Sequence, residues 1–165
     1  MPYSIDEINQ MSQEAFVEAF GKIFEETPAI ARQAWERRPF SDAPHLHQQM
    51  LKVVNEMDQE HQLIFIRAHP DLGSKAKMAE ASVQEQTDAG LDRLTPEEYQ
   101  RFQQLNQTYK DQFGFPFIIA VKNHTKDSIL EAFRQRLNNS FDTEIQQALS
   151  EISQITQRRL FALVT

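Results

Sequence analysis

The run Thr95-Pro96-Glu97-Glu98-Tyr99-Gln100-Arg101-Phe102-Gln103-Gln104-Leu105-Asn106-Gln107-Thr108-Tyr109-Lys110-Asp111-Gln112-Phe113-Gly114 reads as one helix from end to end. A capping threonine, a proline in the first turn and a glutamate three residues after the threonine are start signals. Tyr99, Phe102, Leu105, Tyr109 and Phe113 recur at helical steps, and Gly114 is a stop. The next residues, Phe115-Pro116-Phe117-Ile118-Ile119-Ala120-Val121, change character. β-Branched and aromatic side chains crowd together after a Gly-x-Pro break, which predicts a buried extended segment.

Working outward, helical signals fill the rest of the chain. Ser12 can cap a helix carrying Phe16, Ala19, Phe20, Ile23 and Phe24 and ending before Pro28. A second runs from about Ala29 to Arg37 with Ile30, Ala34 and Trp35, and Pro39 stops it. Ser41 or Asp42 caps a third, with Leu46, Met50, Val53, Val54 and Met57 on one face. Asp58 can cap a fourth over Gln59 to Ala68, and Pro70 terminates it. One or two more occupy Lys75 to Ala89, up to Gly90. Beyond the extended segment, Thr125 caps a helix with Ile129, Leu130, Phe133 and Leu137 inward, and a last one covers Thr143 to Leu163. No repeat or linker interrupts residues 1–165, so an all-α fold is expected: a single compact bundle of about eight helices.

Composition narrows the function classes. Among 165 residues there is no cysteine, which excludes disulfides, thiolate metal sites and a cysteine nucleophile. The net charge of -7 repels phosphates, so nucleic acid is not the expected partner. No apolar run approaches the roughly 20 residues a bilayer requires, and the N-terminus lacks a signal-peptide pattern. A soluble cytoplasmic protein without membrane partners is the plain expectation, and a homodimer is common for such a domain. His45, His47, His61 and His124 read as scattered on polar faces, and His45 and His47, two apart, do not converge on a helix. With no His-Glu-x-x-His, no metal site is expected, and no phosphate loop or dinucleotide fingerprint is present.

Three residues stand out for chemistry. His69 lies between Ala68 and Pro70, and proline disfavours helical geometry in the residue before it, so His69 marks a turn out of the fourth helix. Its reference pKa of about 6.5 suits proton transfer. A helix-terminal histidine bonded to a backbone carbonyl is the competing reading. Ser82-Val83-Gln84-Glu85 matches the reciprocal capping box, which needs no function. Yet its polar surroundings leave that helix a weak core stripe, and a helix N-terminus also suits an anionic ligand. Arg159 is seven residues past Ile152 and four past Ile155, hence on the inward face of the last helix, whereas Arg158 points towards solvent. Such an arginine either pairs with an internal partner or meets a ligand's oxygen atoms.

The motifs, taken together, carry a resemblance. Arg38-Pro39-Phe40, Ala68-His69-Pro70-Asp71-Leu72-Gly73, Ser82-x-x-Glu85-Gln86 and Ala89-Gly90-Leu91 are followed by Leu105-Asn106, Tyr109 and Phe113 to Val121. Arg136-Leu137, Glu144 and Arg159-Leu160 complete the set. It resembles the OHCU decarboxylases, which act on 2-oxo-4-hydroxy-4-carboxy-5-ureidoimidazoline in uric acid breakdown. The resemblance implies an all-helical lyase without a cofactor that releases carbon dioxide from a small anionic ureidoimidazoline to give (S)-allantoin. It makes His69 the catalytic histidine and Glu85 its carboxylate partner. Ser82, Gln86 and Arg159 then hold the substrate, with Gln84 of the same run a further binding candidate. Pro70 and the backbone of Ile118, Ile119 and Ala120 line the pocket, with Phe40 as an aromatic wall. Competing expectations are a non-enzymatic helical interaction module and a decarboxylase or hydratase acting on a related ring.

Overall fold

The computed structural model describes residues 2–24, 27–72, 85–87, 90–122 and 124–165, less the side chain of Asp92. Among them the secondary structure is helical, with one isolated parallel bridge between Tyr3 and Val164. The chain forms two compact units: Met1–Ala68 with Ser153–Thr165, and His69–Ile152.

In the first unit, side-chain caps set most helix starts. Helix α1, Ile5–Gln10, begins where Ser4 accepts from the Glu7 amide. Six residues with only Ile8 buried show no readable period, so the sequence does not announce it. Helix α2, Gln13–Phe20, is capped by Ser12 and buries Phe16 and Phe20. It ends at Gly21, short of the expected extent; Ile23 and Phe24 are buried from the turn that follows. Glycine fits at position 21 where a side chain would not: a Cβ there would lie 2.4 Å from the Val17 carbonyl oxygen and 3.4 Å from Pro28. Helix α3, Pro28–Trp35, packs against both α2 and α4, Ala43–Asn55, which Asp42 caps. Asp58 caps α5, Gln59–Arg67, and Ala68 closes it.

His47 departs from expectation. It lies three residues before Met50 and seven before Val54, at the edge of the α4 stripe, and is buried rather than on a polar face. Its Nε2 is 3.0 Å from Thr156 Oγ1, and the Thr156 hydroxyl donates to the Ser153 carbonyl. Burial lowers the His47 pKa, and a hydrogen bond with the Ser153 backbone only partly opposes this.

The second unit is built on the opening helix of the sequence reading, α6, Pro96–Phe113. The Thr95–Glu98 capping box is formed in both directions, at 2.9 and 3.1 Å. Gly114 ends the helix at φ 80°, a left-handed conformation that glycine adopts without Cβ strain. Asn106, not Leu105, takes the inward position between Phe102 and Tyr109. Phe115–Val121 is buried throughout and neither helical nor paired as strand. Helix α7, Lys126–Arg136, starts at a Thr125–Ser128 box and packs on α6. Phe117 stacks on Phe133 with ring centroids 3.7 Å apart and meets Tyr109 edge-on at 5.3 Å. Helix α8, Phe141–Phe161, runs from this unit into the closing residues of the first.

A charged cluster sits inside the second unit. Arg136 Nε donates to Glu144 Oε1 at 2.8 Å, and its Nη1 donates to the Ile118 carbonyl. The Tyr109 hydroxyl donates to the same Glu144 oxygen, and Asn139 Nδ2 donates to Oε2 at 2.8 Å. The guanidinium also lies 4.3 Å from the Phe117 ring centroid. Glu144 is 0% exposed, so every lone pair must be met from within. Burial and then the Glu144 bond push the Tyr109 pKa well above the usual phenol range, so it remains a donor.

Two outcomes follow from these buried groups. Glu144→Ala strands the Arg136 charge and lowers unfolding free energy by about 3–5 kcal/mol, whereas Arg136→Met with Glu144→Leu costs much less; urea denaturation measures both. For His47 the folded pKa lies below the unfolded value near 6.5, so the unfolded chain takes up a proton first. Its stabilisation is complete above that value and is lost as pH falls through it towards the folded pKa. His61, exposed beside Asp58, has a raised pKa and the opposite sign. Comparing wild type with His47→Gln between pH 8 and 5 isolates the His47 part: the variant loses less stability on acidification.

Candidate active site

The C-cap of α5 places His69. Ala68 is still helical, at φ -71° and ψ -13°, and the chain bends at His69 before Pro70, as the proline rule predicts. His69 and Pro70 are half-buried, and His69 has an interaction partner. The next two residues are fixed to α6: Lys110 Nζ bonds Asp71 Oδ2 at 2.7 Å, and Asn106 Nδ2 donates to the Leu72 carbonyl at 2.8 Å.

Ser82, Gln84 and hence the Ser82–Glu85 capping box lie outside the described residues, as does most of the expected helix from Lys75 to Ala89. Glu85 to Thr87 are helical, with Glu85 half-buried and Gln86 9% exposed. Both engage neighbours. Gly90 follows at φ 83° and leads into a short 3-10 turn, Leu91–Arg93, in keeping with its reading as a stop.

The pocket-lining backbone expected at Ile118, Ile119 and Ala120 is buried, at 4–7% exposure. Without a helical or sheet ladder its polar groups still require partners. Arg136 supplies one at the Ile118 carbonyl, and Glu151 Oε1 accepts from the Ala120 amide at 3.0 Å. Gln147 in turn steadies Glu151 Oε2 at 3.1 Å. The Ala120 N–H is therefore committed to protein, and a ligand reading this stretch must use its other groups.

Phe40 is 2% exposed, stacked on Phe16 with centroids 6.0 Å apart. Asn9 grips its backbone from both sides: Oδ1 accepts from the Phe40 amide at 2.8 Å, and Nδ2 donates to its carbonyl at 2.9 Å. Arg159 is half-buried and Arg158 exposed, the register the sequence predicts. Arg159 Nη1 donates to the Ile23 carbonyl at 2.9 Å, fixing the guanidinium against the turn after α2.

His69, Pro70, Glu85, Gln86 and Ile118–Ala120 thus fall in one compact unit, and Phe40 and Arg159 in the other. Among the described residues no cluster of three or more metal-ligating side chains is present. The period missed Asn106, Arg136, Glu144 and Glu151 as supports. Arg136, however, is seven past Ile129 and three past Phe133, so the arithmetic that singles out Arg159 finds it too.

An all-helical fold is shared with solved enzymes. The crystal structure of (S)-allantoin synthase superposes with a TM-score of 0.81 at 26% identity, covering 99% of this chain and 54% of that one. This chain therefore spans about half the length of that synthase chain. The crystal structure of OHCU decarboxylase in the presence of (S)-allantoin has the same fold, with a TM-score of 0.71 over 93% of this chain and 98% of that one.

Sequence narrows the class to a family. The sequence model of OHCU decarboxylase matches residues 9–161. The 2-oxo-4-hydroxy-4-carboxy-5-ureidoimidazoline decarboxylase of Halalkalicoccus jeotgali is 44% identical over 157 residues, 95% of this chain and 89% of that protein. The uric acid degradation bifunctional protein of Bacillus subtilis is also 44% identical, over 99% of this chain and 33% of its own length. This chain belongs to the OHCU decarboxylase family.

Proposed function

We infer that the chain is a carboxy-lyase that converts 2-oxo-4-hydroxy-4-carboxy-5-ureidoimidazoline to (S)-allantoin in uric acid degradation. Identity of 44% along nearly the whole chain to a protein bearing that name carries the reading. The same breadth of identity favours it over a non-enzymatic interaction module.

The chemistry asks little of the protein beyond placement. The bond between ring carbon and carboxylate breaks, carbon dioxide leaves, and the electron pair forms a C=C bond to the ureido-bearing carbon as the C=N π pair moves onto the ring nitrogen, which takes a proton; the enol O–H proton is given up in the step that follows. The resulting enol becomes the product carbonyl as the carbon bearing the ureido group takes a proton. Net, one proton is consumed. The substrate is its own electron sink, so the reading needs no cofactor. What remains is to hold the carboxylate out of the ring plane, exclude water and protonate one face.

In this reading His69 moves the proton, supported by its half-buried place in a bend past the C-cap of α5. Glu85 is its carboxylate partner, either steadying the imidazole or favouring departure of neutral carbon dioxide. Arg159 holds the anionic substrate, with Ser82, Gln84, Gln86, Pro70 and the remaining groups of Ile118–Ala120 around it and Phe40 as a wall.

Circular dichroism on freshly generated substrate tests these roles. His69→Ala and Glu85→Ala keep the helical far-UV spectrum and each lose about 100- to 10,000-fold in kcat. Unchanged (S)-allantoin formation in either variant refutes its assignment. Arg159→Ala damages turnover far more than Arg158→Ala, because the exposed Arg158 is turned about 100° away on the helix. Equal losses show that the wrong arginine has been chosen.

A further inference from the structure

One helix holds both residues that follow His69-Pro70. Asn106 and Lys110 are one turn apart on α6, and they bind the Leu72 carbonyl at 2.8 Å and the Asp71 carboxylate at 2.7 Å. The two bonds differ in environment: Asn106 is 2% exposed, whereas the Lys110 and Asp71 side chains are 40% and 23% exposed.

Asn106 is an unusual choice for the fold alone. It stands on the core stripe between Phe102 and Tyr109, where an apolar residue packs without polar cost. Its Oδ1 is buried and, among the described residues, accepts no hydrogen bond, which is destabilising. What the asparagine contributes is the bond to Leu72. Lys110 is comparable, since a half-exposed ion pair adds little to stability. Between these anchors and the imidazole stand only Asp71 and Pro70, and the proline ring fixes its own φ. A displacement at Leu72 or Asp71 therefore passes to His69 with little slack.

We propose that Asn106 and Lys110 are positioning residues, a two-point clamp on the Leu72 carbonyl and the Asp71 carboxylate that sets the angle at which His69 meets the substrate. The proposal rests on His69 as the proton-transfer group. It assigns to α6 a part in turnover that the packing of α6 against α7 does not require.

Lys110→Met, Lys110→Arg and Asn106→Leu in the full chain test it, each read by thermal unfolding, kcat, KM and the imidazole 15N resonances of His69. Those resonances are identified by their loss in His69→Ala. The expected Lys110→Met protein melts with the wild type, loses about 10-fold in kcat with KM altered less than about threefold, and shows displaced imidazole resonances. Lys110→Arg restores both. Asn106→Leu melts no lower than wild type and loses about 10- to 100-fold in kcat. If Asn106→Leu does not fold, the two Lys110 variants decide alone. Wild-type kcat with unmoved His69 resonances in Lys110→Met overturns the clamp, as does a loss confined to KM. A wild-type kcat in His69→Ala overturns the parent reading instead, and the resonances then still report whether the clamp orients the imidazole.

Discussion

A buried stretch of backbone that is neither helix nor sheet has to find its hydrogen bonds one at a time. In this protein that stretch is Phe115–Val121, and the Arg136 guanidinium is one of its answers, at the Ile118 carbonyl. Placing a guanidinium there creates a second requirement, because a buried cation is costly until paired. Glu144 meets it; Tyr109 and Asn139 then occupy the oxygens that Glu144 brings. The cluster is less a source of net stability than a chain of obligations, each residue needed because the one before it is present. Its first link is the extended segment, which is also where the pocket-lining backbone is proposed to lie.

The same device recurs in both units. Where the chain leaves a helix, a polar residue on another element reaches over and binds the exposed backbone. Asn9 takes both polar groups of Phe40, Arg159 takes the Ile23 carbonyl, Glu151 the Ala120 amide and Asn106 the Leu72 carbonyl. A helical protein has no sheet in which to satisfy such segments, so its turns depend on side chains sent from helices. Of the residues that make up the family resemblance, Asn106 and Arg136 work as these supports, and Tyr109 and Glu144 hold Arg136 in place.

What the sequence discloses follows from the range of the physics. Helix starts were legible at Ser12, Asp42, Asp58, Thr95 and Thr125 because a cap and its amide are three residues apart. The bend at His69 was legible because proline acts on its immediate neighbour. Helix α1 was not, since six residues with one buried side chain display no period. The early end of α2 was also hidden, because the apolar spacing runs on through Ile23 and Phe24, which are buried from a turn. The burial of His47 does not show in the sequence, because it stands at the edge of the apolar face of α4 and its partner, Thr156, is over a hundred residues away.

That range also governs how a polar residue at a core position should be read. Arg159 and Arg136 satisfy the same helical arithmetic, and both donate to a backbone carbonyl. The bond alone therefore does not distinguish a binding arginine from a structural one. Burial of the partner charge does. Arg136 is 7% exposed and closed off by a carboxylate that is itself 0% exposed, an arrangement with no use for a ligand's negative charge. Arg159 is only half-buried, and its Nη1 donates to the neutral Ile23 carbonyl. Of the two, Arg159 is therefore the one proposed to meet the substrate: the Ile23 carbonyl sets the direction of its guanidinium, and its side chain keeps contact with solvent.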